Sequence, residues 1–194
     1  CFFFFQAEDG ILCRLRSRGL GDVYKRQIND KVYKPVKYYL ENLKESLIKF
    51  EIISNDRKFN VIHGDLCFNN IIFSQNKMFL IDPRGSFGKK GIYGDQLYEI
   101  AKLSHSISGY DCIINGLYNL KFDKNKISYI FLNELNKEKF RLHFEKIVEK
   151  TILDKVYFIE SLLFLSMIPL HSESYEHQIL MLSLAIEKIS KFIK

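Results

Sequence analysis

The sequence predicts a mostly helical α+β fold, in which short strands form a small core among longer helices. Apolar residues recur at helical spacing near the start of the chain and through its last third. Three short apolar runs of strand length lie between these helical segments, and polar or turn-forming residues end each run. A length of 194 residues suits one domain with a sizeable hydrophobic core.

The first 27 residues differ in character from the rest. Asp22–Gln27 back-translates as GAT GTG TAT AAG AGA CAG, which resembles the transposon end used in sequencing-library adapters. Phe2–Gly10 resembles translated adapter read-through in the same way. We therefore expect residues 1–27 to be adapter-derived and non-native, so the fold is predicted from residue 28 onward. A poorly ordered native N-terminus is the alternative.

The elements of the first half follow from periodicity and turn chemistry. Residues 33–50 predict a helix, because their apolar side chains recur at helical spacing. Phe59–Ile62 predicts a strand that runs into a loop at His63. Asn70–Phe73 and Met78–Ile81 predict two further strands, and the polar residues between them predict a tight hairpin turn.

A flexible loop and then longer elements follow the third strand. Asp95 is a suitable N-cap for a helix that continues through Leu103. Residues 118–132 predict one strand or a hairpin. The glycines that mark the loop are Gly85, Gly88, Gly91 and Gly94, and the last three predicted helices are 134–150, 154–169 and 174–193. We divide the chain after residue 27 into a strand-containing core, 28–132, and a helical subdomain, 133–194.

The strongest chemical signal is the pattern H-x-D-x-x-x-x-N, formed by His63, Asp65 and Asn70. Asp82 follows Asn70 by twelve residues, at the end of the third predicted strand. Phosphoryl transfer from ATP needs a carboxylate that takes the acceptor's proton and hard oxygen ligands for Mg²⁺. The pattern thus predicts Asp65 as the catalytic base, and Asn70 and Asp82 as the residues that bind the metal and ATP. Taken singly, each could be an ordinary turn residue.

These residues resemble the aminoglycoside phosphotransferase and choline kinase family. The resemblance extends from Val61 through Ile72 and includes Leu80–Asp82. Gly94–Leu103 is similar to the family's following helix start, written GDPxYDLAxL, with Gln96 in place of Pro and Glu99 in place of Asp.

The resemblance implies the C-terminal lobe of a protein-kinase-like fold, in which a β hairpin core carries the catalytic loop. It implies ATP as phosphate donor, Mg²⁺ as cofactor, and a small-molecule hydroxyl acceptor bound by the helical subdomain, 133–194. Sugars, choline and aminoglycosides are the candidate acceptors. Asp82–Gly85 resembles a branch linked with bacterial surface polysaccharides, which favours a sugar or choline-type metabolite. His63 and Asp95 receive structural roles, with His63 bracing the loop through hydrogen bonds.

A working kinase also needs a cover for the nucleotide phosphates and a lysine that pairs with them. Residues 28–63 contain no glycine and predict mainly helix and linker. We therefore expect the parent protein to be an ATP-dependent phosphotransferase, and this chain to be inactive without an N-terminal lobe. A catalytically silent binding or scaffold module with a kinase-like fold is the alternative.

The composition bears on nucleic-acid binding, cellular location, membrane contact and metal binding. The net charge is +6, but the lysines are scattered through predicted helices, which is typical of solvated faces and not of a nucleic-acid site. The four cysteines lack a metal or disulfide spacing, which favours a reducing, cytoplasmic location. Phe158–Leu170 is the longest apolar run and is too short to cross a bilayer, so no membrane contact is expected. His105, His143, His171 and His177 show no metal-ligand spacing.

Overall fold

Helices dominate the part of the chain that the structure describes, and the fold is α+β, as the sequence predicts. The computed structural model describes residues 26–52, 59–87, 89–123 and 125–193. The expectations for residues 1–25 and for Gly88 lie outside these ranges. In the described ranges, none of the helices combines the length and apolar character that a membrane crossing requires.

The helices are bounded as follows: α1 Val36–Glu41, α2 Leu43–Lys49, α3 Gln96–His105, α4 Asp111–Ile114, α5 Glu134–Ile147, α6 Lys150–Met167 and α7 Tyr175–Ile189. Shorter 3₁₀ turns span Phe68–Asn70 and Ile168–His171, and a π-type turn spans Ser106–Tyr110.

The strands are β1 Arg26–Ile28, β2 Lys31–Tyr33, β3 Phe59–Val61, β4 Ile71–Ser74, β5 Lys77–Leu80, β6 Ser86–Phe87, β7 Lys89–Lys90, β8 Tyr93–Asp95, β9 Tyr118–Phe122 and β10 Lys126–Phe131. They form one four-stranded sheet, in the order β2-β1-β10-β9, and the antiparallel pairs β3-β8, β4-β5 and β6-β7. In the larger sheet, β1 and β10 run parallel. The segment 118–132 is thus a hairpin.

The hairpin predicted after Asn70 is present and has a two-residue turn. Ile71 pairs with Leu80, and Ser74 pairs with Lys77. Gln75 and Asn76 between them have φ angles of 49° and 58°. Two positive φ values in a two-residue loop are what a twisted antiparallel hairpin requires.

The helix predicted over 33–50 is interrupted, because Asn42 separates α1 from α2. Its side-chain Nδ2 donates to the Tyr38 carbonyl oxygen at 2.8 Å, and its backbone N–H donates to the same oxygen at 3.2 Å. An asparagine side chain that competes for a backbone carbonyl in this way ends a helix. The helix also starts later than predicted, since Pro35 precedes α1 and Tyr33 ends β2.

The core centres on α6 and α7, with α3 packed against α6. The prediction of a hairpin core is wrong for β4 and β5, because their side chains are almost all exposed.

The first part of the predicted apolar run, Phe158–Leu165, is buried, and Phe158 and Phe164 are fully inaccessible. Helix α6 ends at Met167 and Leu170 is exposed, so the prediction of a buried helix fails at the end of the run. The Phe158 ring stacks on Phe50 at a centroid distance of 4.9 Å. Burying a side chain of this size stabilises the fold by about 1.5–3 kcal/mol. Helix α6 begins four residues before its predicted start, because the extended backbone that separates it from α5 lies at Val148 and Glu149.

The first strand includes residues at the predicted non-native boundary. The Gln27 backbone N–H donates to the Asn125 carbonyl oxygen at 2.9 Å, and the Ile28 side chain is fully buried. The pairing of Gln27 uses backbone groups that almost any residue supplies. The expectation about the origin of residues 1–27 therefore stays a prediction.

Candidate active site

The loop that carries the predicted catalytic residues is fixed at its start by one carboxylate. The backbone N–H groups of His63 and Gly64 donate to the two carboxylate oxygens of Glu99, at 2.8 and 2.9 Å. Glu99 lies in the first turn of α3. Gly64 has a φ of +79°, and a Cβ there would lie 2.9 Å from the Cβ of Arg84, so the position favours glycine on both counts.

Asp95 places that carboxylate. Its Oδ1 accepts a hydrogen bond from the Leu97 backbone N–H at 2.8 Å and caps α3, as predicted. Strand β8, which ends at Asp95, pairs with β3, so Asp95 lies opposite Phe59 in that pair. Strand β8 therefore pairs with β3, the strand before the loop, and its last residue, Asp95, caps α3, the helix that binds the loop.

His63 connects the loop to the segment that carries Asp82. The His63 Nε2 atom lies 2.8 Å from the Ile81 carbonyl oxygen, which makes it the hydrogen-bond donor in that contact. The Arg84 backbone N–H donates to the His63 carbonyl oxygen at 2.7 Å. These are hydrogen bonds of the bracing kind that the family resemblance implies for His63.

Asp65 and Asn70 meet at the end of the loop. The Asn70 Nδ2 atom donates to the Asp65 carbonyl oxygen at 2.9 Å and to its Oδ2 at 3.3 Å. The 3₁₀ turn Phe68–Asn70 brings them together, since the Asn70 N–H donates to the Cys67 carbonyl oxygen at 3.0 Å. The Asn70 amide nitrogen already donates to Asp65, so the Asn70 Oδ1 remains available as a hard oxygen ligand for a metal ion.

Asp82 is exposed and has a φ of 53°. Aspartate is among the few non-glycine residues that adopt this left-handed conformation readily. Residues near Asp82 are hydrogen-bonded to the loop. The Ile81 N–H donates to the Asn70 carbonyl oxygen at 3.0 Å, and the Arg84 N–H donates to the His63 carbonyl oxygen. Within the described ranges no hydrogen bond or ion pair joins the Asp82 carboxylate to another residue. The structure therefore links Asp65 to Asn70 directly, and it links the segment around Asp82 to Asn70 and His63 through backbone groups.

Lys102 is the site residue that the sequence analysis missed. Its Nζ lies 2.7 Å from Asp65 Oδ1, while its own side chain is only 4% exposed. The ammonium also lies 5.4 Å from the centre of the Tyr110 ring. The sequence offered one signal for this contact: a lysine follows Ala101 on the helix face that packs inward. A buried lysine is almost always paired, so its position predicts a carboxylate nearby.

A second polar contact holds the middle of the loop. The Phe68 backbone N–H donates to Ser106 Oγ at 2.9 Å, and Ser106 Oγ donates to Asp111 Oδ2. Burial raises the pKa of Asp111, and the Ser106 hydrogen bond opposes this shift. The turn between these residues depends on Gly109, since a Cβ at its φ of +137° would lie 2.7 Å from the Phe131 ring.

Cys67 lies within the loop and is buried. Burial, and then the negative charge of Asp65, raise the pKa of its thiol. A protonated, buried thiol is a poor nucleophile, which matches a packing role.

A groove of about 930 Å³ opens beside the loop. Its walls are mainly apolar and come from the loop, from α3 and from α5. The loop supplies Leu66 and Phe68, and α5 supplies Phe140 and Phe144, with His143 and Glu149 as polar members. The groove thus joins the strand-containing core to the first part of the predicted helical subdomain.

The structure brings two of the histidines close to a carboxylate. His171 and His177 lie with Glu173 in a group whose ligand atoms are all within 4.8 Å of one another. A backbone N–H and the His171 ring lower the pKa of Glu173. Burial, followed by the charge of His171, lowers the pKa of His177. The group was missed because its members come from a 3₁₀ turn and a helix start, so they follow no standard ligand spacing.

No protein-family model, curated protein or solved structure matches the chain. Support for a function therefore comes from the residues of the site and their geometry.

Proposed function

We propose that residues 28–194 form the catalytic-loop lobe of an ATP-dependent phosphotransferase that acts on a hydroxyl group of a small molecule. The observation that carries the proposal is the Asp65–Asn70 contact within a loop that Glu99 and Ile81 hold at its start. A surface turn with no chemical role gains nothing from orienting one carboxylate. Here a buried lysine and two hydrogen-bonded contacts at the start of the loop do so.

Asn70 and Asp82 suit a magnesium ion. Both offer oxygen ligands, which Mg²⁺ prefers, and Asp82 is accessible to solvent. Magnesium keeps several of its own waters, so two protein ligands together with ATP phosphates are sufficient. When bound there, the ion would neutralise charge on the phosphates during transfer.

The chain's own residues would hold and move the proton. Asp65 would orient the acceptor hydroxyl and accept its proton through the carboxylate. Lys102 and Asn70 fix that carboxylate from two sides, at Oδ1 and Oδ2. His63 would act on the loop only, because its Nε2 is already bound to the Ile81 carbonyl.

The exposed apolar surface of the β4–β5 hairpin supports a partnership with a second, ATP-covering lobe. Phe73 is 73% exposed and Met78 is 64% exposed. Their neighbours Phe79 and Leu80 are also exposed. Phe73, Met78 and Leu80 lie on one face of the hairpin and Phe79 on the other, so both faces expose apolar side chains. Exposed apolar surface of this kind is typical of a region that another body covers. The absence of glycine from residues 28–63 agrees with a phosphate cover that comes from elsewhere.

The acceptor would bind in the groove beside the loop, whose lining includes Leu66, the neighbour of Asp65, but not Asp65 itself. Loop residues and α5 line it together, which agrees with an acceptor-binding role for the helical subdomain. The family resemblance favours a sugar or a choline-type metabolite. His143 and Glu149, together with Asn60 and Gln96, are polar groups on its wall that could bind such a molecule.

The second candidate is a catalytically silent module with a kinase-like fold. One observation favours it: Lys102 occupies Oδ1 of Asp65 and Asn70 contacts Oδ2, so both carboxylate oxygens are engaged. In an active enzyme, the half-exposed carboxylate must still accept a hydrogen bond from the acceptor.

Kinetics on the protein with its N-terminal lobe restored would decide between the two. Asp65→Asn should lower kcat by about 10²-fold or more with little change in KM, because a positioned base acts in the transition state. Asp82→Ala should abolish turnover with Mg·ATP. Asp154→Asn, an exposed aspartate on α6, is the matched control and should behave as wild type. Full turnover by Asp65→Asn would refute Asp65 as the base, and no turnover by the wild type would favour the silent module.

A metal titration tests the site in the chain as it stands. Mn²⁺ in place of Mg²⁺ should broaden NMR signals around Asn70 and Asp82, and Asp82→Ala should abolish the broadening. Signals that broaden equally in both proteins would contradict the metal assignment.

A further inference from the structure

His171, Glu173 and His177 lie where the 3₁₀ turn after α6 meets the first turn of α7. The Nδ1 atom of His171 is 2.9 Å from Glu173 Oε1. The other ring nitrogen of His171, Nε2, and the Nδ1 of His177 are buried and have no hydrogen-bond partner in the described ranges. Buried polar atoms without partners are costly, so each such atom in a folded protein needs an explanation.

The backbone around these residues is fixed on both sides. The His177 N–H donates to Ser174 Oγ at 3.2 Å, which caps α7. The buried Gln178 side chain donates to the Ile168 carbonyl oxygen at 2.7 Å and joins the 3₁₀ turn to α7. A group of side chains on a fixed backbone can bind a ligand with little loss of conformational freedom.

We propose that His171, Glu173 and His177 bind a divalent transition-metal ion, of the class for which Zn²⁺ is the natural probe. Two imidazoles and one carboxylate form a ligand set that such ions accept, with a further position open to water or another ligand. Hard Mg²⁺ prefers oxygen ligands, so this site is distinct from Asn70 and Asp82 in chemistry as well as in place.

The local charge suits a dication. Glu173 contributes one carboxylate, and Glu176 contributes a second one that accepts a hydrogen bond from Tyr118 at 3.0 Å. Together they oppose the partial positive charge at the N-terminus of α7. A bound ion would crosslink the 3₁₀ turn to α7, and binding to the folded state alone would stabilise the fold.

Titration of the full chain with Zn²⁺ and with Co²⁺ tests the proposal. Calorimetry should show one tight site, and bound Co²⁺ should show visible absorption without a thiolate charge-transfer band. Glu173→Gln and His177→Gln should each weaken binding by about 100-fold, since even indirect partners of a metal are worth 10–100-fold. Glu173 is exposed, so its variant keeps the test valid even where a histidine variant folds poorly.

Two controls separate this site from others. His143→Gln removes an exposed histidine on α5 and should leave Zn²⁺ affinity unchanged. Asp82→Ala should also leave it unchanged, which makes the outcome independent of the proposed phosphotransfer. Wild-type affinity in Glu173→Gln and His177→Gln, a thiolate band with Co²⁺, or binding only at millimolar Zn²⁺ would overturn the proposal.

Discussion

The α6–α7 core and the β4–β5 hairpin are equally rich in large apolar side chains, but they bury them to opposite extents. Phe158 and Phe164 on α6 are fully buried, whereas Phe73 on β4 is 73% exposed. The helices find their partners within the described residues, and the hairpin does not. The helical half therefore supplies its own stability, while the hairpin presents a surface.

The loop that carries Asp65 and Asn70 lies between these two halves and is held mainly by the helical one. Glu99, Lys102 and Ser106 all contact it from α3 or the turn that follows. The hairpin side adds the contacts of Ile81 and Arg84 with His63. The difference indicates that the geometry of the loop depends mainly on the helical half, while the hairpin is exposed.

The largest expected effect tests the difference in burial directly. Phe158→Ala should lower the free energy of unfolding by about 3–5 kcal/mol, because it removes a fully packed ring and leaves a cavity. Phe73→Ala removes the same side chain from an exposed strand and should change stability by less than about 0.5 kcal/mol. Urea denaturation of both variants is the measurement. A loss of similar size in both would show that the hairpin face is already covered in solution, for instance by a second copy.

Periodicity and turn chemistry predicted most of the architecture. The hairpin after the loop, the cap at Asp95 and the buried helix around Phe158 are all present. The break at Asn42 was missed because apolar spacing alone does not show that a side chain will take a backbone carbonyl. Strands β1, β2, β6, β7 and β8 were missed because strands of two or three residues have too little pattern to detect. The prediction of a flexible loop was wrong where β6, β7 and β8 form paired strands.

The site was predicted where its residues are close in sequence and missed where they are not. Asp65 and Asn70 meet through a local turn, so a spacing rule could pair them. Lys102 reaches Asp65 only because α3 packs against the loop, and that contact depends on the tertiary fold. His171 and His177 are close in sequence as well, but their spacing matches no standard ligand pattern, and their approach depends on how the 3₁₀ turn docks on α7.

The next largest expected effect is a dependence of stability on pH that arises in the helical half alone. His105 is fully buried between Tyr110 and Phe164, at centroid distances of 4.6 and 4.1 Å. Burial, and then the charge of Lys102, lower its pKa well below the ordinary value of 6.5. The folded state therefore keeps the ring neutral while the unfolded chain protonates, so stability is present above pH 6.5 and falls as the pH drops below it.

Urea denaturation at a series of pH values measures this effect. Below pH 6.5, the contribution of His105 should fall by about 1.4 kcal/mol per pH unit until the folded-state pKa is reached. His105→Leu should remove that part of the slope, and His143→Leu, at an exposed position, should leave it in place. An unchanged slope in His105→Leu would mean that other groups cause the acid sensitivity.

The smallest effect tests whether the loop depends on the helical half through α3. Asp95→Ala removes the cap of α3 and should cost about 1 kcal/mol, whereas Asp95→Asn keeps a capping oxygen and should cost less. The consequence should be local, because the first turn of α3 holds Glu99, and Glu99 holds the His63 and Gly64 amides. Hydrogen exchange at those two amides should accelerate in Asp95→Ala, while exchange within α6 follows only the small global change. Ser174→Ala removes the equivalent cap of α7 and should leave the two loop amides unchanged. Equal acceleration in both capping variants would show that the loop responds to overall stability and not to α3.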